Sequence, residues 1–394
     1  MAVTLAVLIG LHAHADETLA YSVSVQTVLE HDDGEWLWFH PRTTTLSKPS
    51  DMVMTIQKHL QKSDHYSGLH AMYSRDGGAT WTEPVLPPVL EWTTEDDGTT
   101  VGVCDVTPGW HAPTGKLVAV GVKVRYQEGL HVYDKPQSHA AAYTIFDPET
   151  RAWAEWKFVD MPDPTGTFYI TMPGCTQWLV AEDGDLLVPI YFREGDVKTH
   201  KATVMRCGFD GSTLTYKSHG DELSLELVRG LVEPSLTRHK NRYYLTIRND
   251  ERAYVTASED GISYAPIKPW IFDDGEELGS YNTQQHWITH SDSLFLVYTR
   301  RGAENDHIMR NRAPLFMAQV DPEKLQVIRA TERILIPERG AALGNFGAVT
   351  VSPTESWVTV SEGIWNDAMR SKGATGATFI ARIKWDVPNR LATP

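Results

Sequence analysis

The chain has 394 residues, with 36 Lys and Arg against 51 Asp and Glu, for a formal charge of −15. That acidic balance, with no block of basic residues, argues against a nucleic-acid partner or an anionic membrane surface. Apolar residues make up 41%, enough for a sizeable core, which excludes a disordered chain.

The first segment, MAVTLAVLIGLHAHADE, holds an apolar run from Ala2 to Leu11. The run is far shorter than the ~20 residues a membrane span needs. It fits the apolar stretch of a secretory signal, with Ala13-His14-Ala15 as a small-x-small cleavage site, although the usual positive start is missing. Residues 1–15 are therefore expected to be a signal peptide, and the protein to be secreted or periplasmic. The alternative is an ordinary first strand. No other segment is apolar enough to span a membrane.

Further on, helical periodicity is scarce. Short runs rich in Val, Ile, Thr, Tyr and Trp recur, separated by Gly, Pro, Asp and Asn. In LHAMYSRDGGATW (Leu69–Trp81) an alternating strand ends at Ser74, a Gly-rich turn follows, and Trp81 is expected to open the next strand. The same strand–Asp–turn–strand shape returns around Asp147, Asp210, Asp260, Asp321 and Asp386. From Asp76 onward the Asp spacings are 71, 63, 50, 61 and 65 residues. Repeats of this length with about four strands each predict an all-β fold, a six-bladed β-propeller, formed by one domain over residues 22–390. The last copy stops at its third strand, so Ser22–Glu30 is expected to supply the missing outer strand and close the ring.

Cys104, Cys175 and Cys207 are too few for a disulfide scaffold and have no zinc-like spacing, so they are expected to be buried small apolar residues. The acidic runs Asp32-Asp33-Gly34 and Glu95-Asp96-Asp97-Gly98 read as turns. A structural calcium is the alternative there, without EF-hand spacing. No cofactor and no metal centre are expected, and nothing in the sequence sets an oligomeric state.

Ser74-Arg75-Asp76-Gly77-Gly78-Ala79-Thr80-Trp81 matches the Asp-box, S-x-D-x-G-x-T-W, and Ser258–Tyr264 is a fair second copy. By these motifs the chain resembles the sialidase superfamily of propellers. The resemblance implies a carbohydrate-active enzyme with an arginine cluster, an acid/base Asp and a Glu. Arg42 in His40-Pro41-Arg42, Arg248 in Ile247-Arg248-Asn249 and Arg312 in Arg310-Asn311-Arg312 are the matching arginines, with Arg310 as a rival to Arg312. Asp64 stands at the place of the acid/base, and Glu233 in Val232-Glu233-Pro234 at the place of the Glu. One element departs from the pattern. Where the family carries a Tyr nucleophile, this chain has Gly344-Asn345-Phe346-Gly347, and a Phe cannot attack an anomeric carbon.

Read physically, three Arg from three blades suit planar recognition of a sugar carboxylate, as in a sialic or uronic acid. Tyr281, Gln284, Gln285 and His286, in the polar and aromatic run before an apolar strand, are expected to meet sugar hydroxyls at the funnel mouth. His40, His65 and His111 are expected to join them as substrate-binding groups, and His286 is a further candidate for proton transfer. The leading expectation is an exo-acting glycoside hydrolase on an anionic glycan, with Asp64, Glu233 and His286 as the catalytic set. The alternatives are a polysaccharide lyase acting on uronate chains by β-elimination, and a non-catalytic glycan-binding propeller.

Overall fold

The computed structural model describes residues 18–60, 64–133 and 137–392. The expected signal peptide at 1–15 lies outside the described residues. No helix among the described residues is long and apolar enough to cross a membrane.

Among the described residues the alternating runs form short antiparallel strands that pair into six sheets. The first is a three-stranded sheet of Leu37–Thr45, Met52–His59 and His70–Ser74. The next is built on Thr100–His111, Lys116–Gln127 and Ala140–Asp147. Ile170–Met172, Leu186–Arg193, Lys201–Phe209 and Leu214–His219 make the following one. Val232–His239 leads another, with Arg242–Arg248, Tyr254–Ser258 and Lys268–Pro269. His286–Thr289, Leu294–Tyr298 and Leu315–Asp321 head the fifth. The last sheet runs Gly347–Ser352, Glu355–Ser361, Ala377–Trp385 and then, from the other end of the chain, Tyr21–Glu30.

That pairing is the closure expected from the sequence. Tyr21 stands opposite Trp385 and Glu30 opposite Ala377, with one bulge between Thr27 and Leu29. The N-terminal strand thereby satisfies the edge that Ala377–Trp385 would otherwise present to solvent. Each sheet packs against the next. Leu37–Thr45 touches both Thr100–His111 and Gly347–Ser352, while Val232–His239 touches Leu186–Arg193 and His286–Thr289. The arrangement is all-β and propeller-like. Apolar clusters fill the space between sheets, with Trp270, Trp287 and Trp357 fully buried.

At Asp76 and Asp260 the carboxylate organises the turn. Asp76 accepts from Ser74 Oγ at 2.8 Å and from the Thr80 N–H at 2.9 Å. Asp260 repeats this with Ser258 Oγ and the Ile262 and Ser263 N–H groups. Gly78 must be glycine, since its φ is +75° and a Cβ there would strike the Trp357 ring. Trp81 opens no strand; it packs against the cluster around Trp357 instead. The acidic runs are turns, as expected: Asp32 is held by Arg370, and Asp97 accepts from the Thr99 N–H.

The inner strands share one irregularity that builds the site. Register skips occur between Phe39 and Arg42, between Cys104 and Thr107, and between Val232 and Ser235. Pro41 and Pro234 have no N–H to give the ladder, so the chain bulges at both. The residues His40, Asp105 and Glu233 in these bulges, and Cys175 in the turn after Ile170–Met172, all have left-handed φ between 46° and 57°. For residues other than Gly such a backbone costs about 1–2 kcal/mol each. Repeated strain of this kind is typical of a functional site.

Candidate functional site

The bulged residues open into one cavity of about 320 Å³. His40, Asp105 and Glu233 line it from strand bulges, and Cys175 and Asn345 from the turns beside their strands. Asp64, Arg248 and Arg312 line it as well. The structure therefore brings together five of the expected site residues: Asp64, Glu233, Arg248, Arg312 and His40.

Glu233 and Arg248 form the anchor. Arg248 Nη1 donates to Glu233 Oε1 at 2.5 Å, and Nη2 donates to Asn282 Oδ1 at 2.7 Å and Asp250 Oδ1 at 3.1 Å. Burial alone would raise the Glu233 carboxyl, but the Arg248 charge and hydrogen bond outweigh it and hold Glu233 below its ordinary value. Its second oxygen, Oε2, is buried with no hydrogen-bond partner. Arg312 donates through Nε and Nη2 to the Asn282 carbonyl. Burial, then repulsion from Arg248 and Arg310, pushes Arg312 down to about 10. This is the signature of positive charge not fully compensated by the protein.

Other residues of the cavity escaped the sequence reading. Arg193, Lys198 and Arg229 add three more cations to its wall, beside Arg310, the rival to Arg312 in the sequence. Asp105 is pushed up to about 7, first by burial and then by Glu233 and Asp64, against the opposing pull of Arg42. Tyr66, Tyr133 and Tyr191 bring phenols, and His131, His139 and His200 bring imidazoles. Tyr191 is raised well above its ordinary value, by burial first and then by the Glu233 charge. His139 and His200 are held neutral by burial, at about 3 and about 4. The Cys-Asp-Val signal at 104–106 was within reach of the sequence, but the left-handed bulge that turns Asp105 inward has no residue signature there.

Several expected residues lie elsewhere. Arg42 does not meet Arg248 and Arg312 in this cavity. It lies two residues beyond His40 on the same strand, roughly 7 Å further along. It lines a second cavity of about 470 Å³, together with His286, Gln177, Trp110 and Trp178. Between the two cavities, Gln177 bridges the ring, accepting from the Trp287 N–H at 2.6 Å and donating to the Ala348 carbonyl at 3.2 Å. His286 is thus separated from Asp64; it is buried, hydrogen-bonded to Ser235 Oγ at 3.0 Å, and packed edge-on to Phe346.

Gln284 and Gln285 are not at a funnel mouth, because both are fully buried. Gln285 spends its amide on Thr246, Ser280 and Thr283, so it ties strands together. Tyr281 bonds to Asn311 beneath the Arg301 guanidinium, and His65 stacks on Trp92; neither lines the cavity. His111 is a structural tie, its two nitrogens engaged by Thr114 and the Gly184 carbonyl. Phe346 is fully buried in the place where a nucleophilic Tyr was missing from the sequence. The three cysteines are buried and free.

No protein-family model and no curated protein sequence matches the chain. Solved structures do resemble it. A protein of unknown function from Dyadobacter fermentans is 14% identical with a TM-score of 0.61, over 92% of this chain and 99% of that one. The Trypanosoma rangeli sialidase is 12% identical with a TM-score of 0.64, over 92% of this chain and 60% of that one. The NanB sialidase of Streptococcus pneumoniae is also 12% identical with a TM-score of 0.64, over 93% of this chain and 71% of that one. The chain accordingly has a sialidase-like fold.

Proposed function

We propose that this protein is an exported carbohydrate-active enzyme, a sialidase-like glycoside hydrolase that binds an anionic sugar by its carboxylate. In this reading the six sheets are the blades of one closed propeller spanning residues 22–390. The observation that carries the function is one of charge. A chain with a net charge of −15 gathers Arg193, Lys198, Arg229, Arg248, Arg310 and Arg312 around a single cavity, against the acidic Asp64, Asp105 and Glu233. Arg310 is exposed and has no hydrogen bond or salt bridge among the described residues, so its fork is available to a ligand. A bidentate carboxylate would relieve the repulsion at Arg312.

Asp64 is exposed at the cavity and acts as general acid, passing its proton to the glycosidic oxygen as the leaving group departs. Glu233, ionised and with Oε2 unpartnered, accepts the proton of a water that attacks the anomeric carbon. Asp105 and Arg248 orient the acid–base pair electrostatically. The earlier assignment of Arg42 to the carboxylate clamp passes to Arg310.

A second reading, β-elimination on a uronate chain, is favoured by the His–Tyr pairs in the same cavity. Tyr191 and His200 have ring centroids 5.5 Å apart, and Tyr133 stacks on His139 at 4.7 Å. A neutral His would remove the proton beside the carboxylate and a Tyr would protonate the leaving oxygen. One experiment separates the readings: a panel of sialosides and uronate glycans assayed by mass spectrometry and ultraviolet absorbance. Released free sugar with added water supports hydrolysis. An unsaturated uronate product assigns elimination instead, and binding of the panel without turnover of any member overturns both.

A further inference from the structure

The cavity contains a second chemistry, of which the hydrolase reading uses only the charge of Asp105. His40, Asp105 and Cys175 come from three consecutive sheets, 65 and 70 residues apart in the chain. One donor atom from each, an imidazole nitrogen, a carboxylate oxygen and the thiol sulfur, lies within 4.8 Å of the other two. Donors around a tetrahedral zinc, with bonds of about 2.0–2.3 Å, stand roughly 3.3–3.8 Å apart. Side-chain adjustments of about an ångström would therefore close the set.

His40 supplies an independent observation. Its side chain is only 2% exposed, and neither ring nitrogen has a hydrogen-bond partner. Nδ1 is 3.2 Å from Asp105 Oδ1 without hydrogen-bond alignment. A buried imidazole usually satisfies at least one nitrogen. Here the ring is held by contact with Tyr66 and Phe39 and points an unpartnered nitrogen at Asp105. The same three residues share the left-handed backbone that turns each of them inward.

We propose that His40, Asp105 and Cys175 bind one divalent transition-metal ion of the zinc class at the base of the cavity. The donor set is mixed nitrogen, oxygen and sulfur, which favours zinc or cobalt over calcium or magnesium. Three protein ligands leave a fourth position, and all three residues line the cavity, so that position faces the space where substrate would enter. Binding displaces the thiol proton to solvent, leaving a thiolate and a carboxylate to balance the two charges of the ion. Arg42 lies against both Asp105 and Cys175 as an outer partner. The spacing hid this site from sequence, because each ligand is a whole repeat away from the next.

The test uses the full chain, stripped with chelator, incubated with excess Zn(II) or Co(II), and desalted. Metal content is then measured by mass spectrometry, and Co(II) spectra are recorded for a thiolate charge-transfer band. About one equivalent per chain is expected, with the band present. Cys175→Ser, a nearly isosteric change, is expected to lose at least tenfold of the retained metal and the whole band, as is His40→Gln. Cys207→Ser, in another cluster, is expected to keep both. Failure of the wild-type chain to retain stoichiometric metal would overturn the proposal, as would retention unchanged in a folded Cys175→Ser variant. Metal content is read without turnover, so the result is independent of whether the glycan reading holds.

Discussion

Val232 pairs in register with Arg248, and the bulge after Val232 swings Glu233 back onto the guanidinium of that same Arg248. The pair is buried, so its members are not equivalent to lose. Arg248→Met leaves Glu233 buried and without its principal cation, which should cost about 3–5 kcal/mol. Glu233→Gln leaves Arg248 still held by Asp250 and Asn282, and should cost less. Urea unfolding of the two variants gives the order directly. A larger loss in Glu233→Gln would mean that Asp250 and Asn282 do not hold Arg248 once the Glu233 charge is gone.

Arg310 offers the converse case. With no hydrogen bond or salt bridge to Arg310 among the described residues, Arg310→Ala should change stability by no more than about 0.5 kcal/mol. If the side chain meets a substrate carboxylate, affinity for an anionic sugar should fall at least tenfold, about 1.4 kcal/mol. Calorimetric titration of the variant against an acidic monosaccharide and its methyl ester checks this. The ester should bind wild type and variant alike.

How much of this was legible in the sequence follows from what a repeat can encode. The Asp spacing and the truncated last copy carried the propeller-like plan and the N-terminal closing strand, because turn chemistry and strand alternation are local. The positions of Arg248, Arg312, Glu233 and Asp64 followed from the resemblance. Arg42 and His286 line the second cavity, although Arg42 still reaches Cys175 at the wall of the first, because a side chain between two cavities is not assigned to either by its place in a repeat. Gln284 and Gln285 misled for a different reason: a polar run was read as exposed, whereas both are buried and the Gln285 amide satisfies backbone and hydroxyl groups. Asp105 was missed because a left-handed bulge without Gly or Pro at its centre leaves no mark in the sequence.

The closing strand can be tested through Tyr21. Its ring packs edge-on to Phe295 at 5.8 Å and Trp385 at 5.5 Å, joining the first strand to two sheets. Tyr21→Ala should destabilise by about 3–5 kcal/mol, as expected for a large aromatic lost from a core. Tyr21→Phe should cost far less, since the hydroxyl has no hydrogen-bond partner. Thermal unfolding of the two variants distinguishes a ring that closes the fold from a strand that merely rests on it. Equal melting temperatures for Tyr21→Ala and wild type would rule out the closing role.

Buried neutral histidines set the pH response. His239 lies at the far end of Val232–His239, only 1% exposed, and burial holds it down to about 4, with Lys240 and His290 adding repulsion and Asp292 opposing. In the unfolded chain it titrates near 6.5. Between these values the unfolded state binds the proton and the folded state does not, so stability falls as pH drops from about 6.5 to 4 and levels off below. At about 1.36 kcal/mol per unit, His239 alone accounts for at most about 3 kcal/mol. The turn carboxylates Asp76 and Asp260, held at about 2, act with the same sign in a lower window; their stabilisation is present above about 4 and is lost only as pH falls toward 2. Urea unfolding at pH 7 and pH 4.5 should therefore show a loss that is smaller in His239→Gln than in wild type. An identical loss in both would place the response on His139 and His200 at the cavity instead.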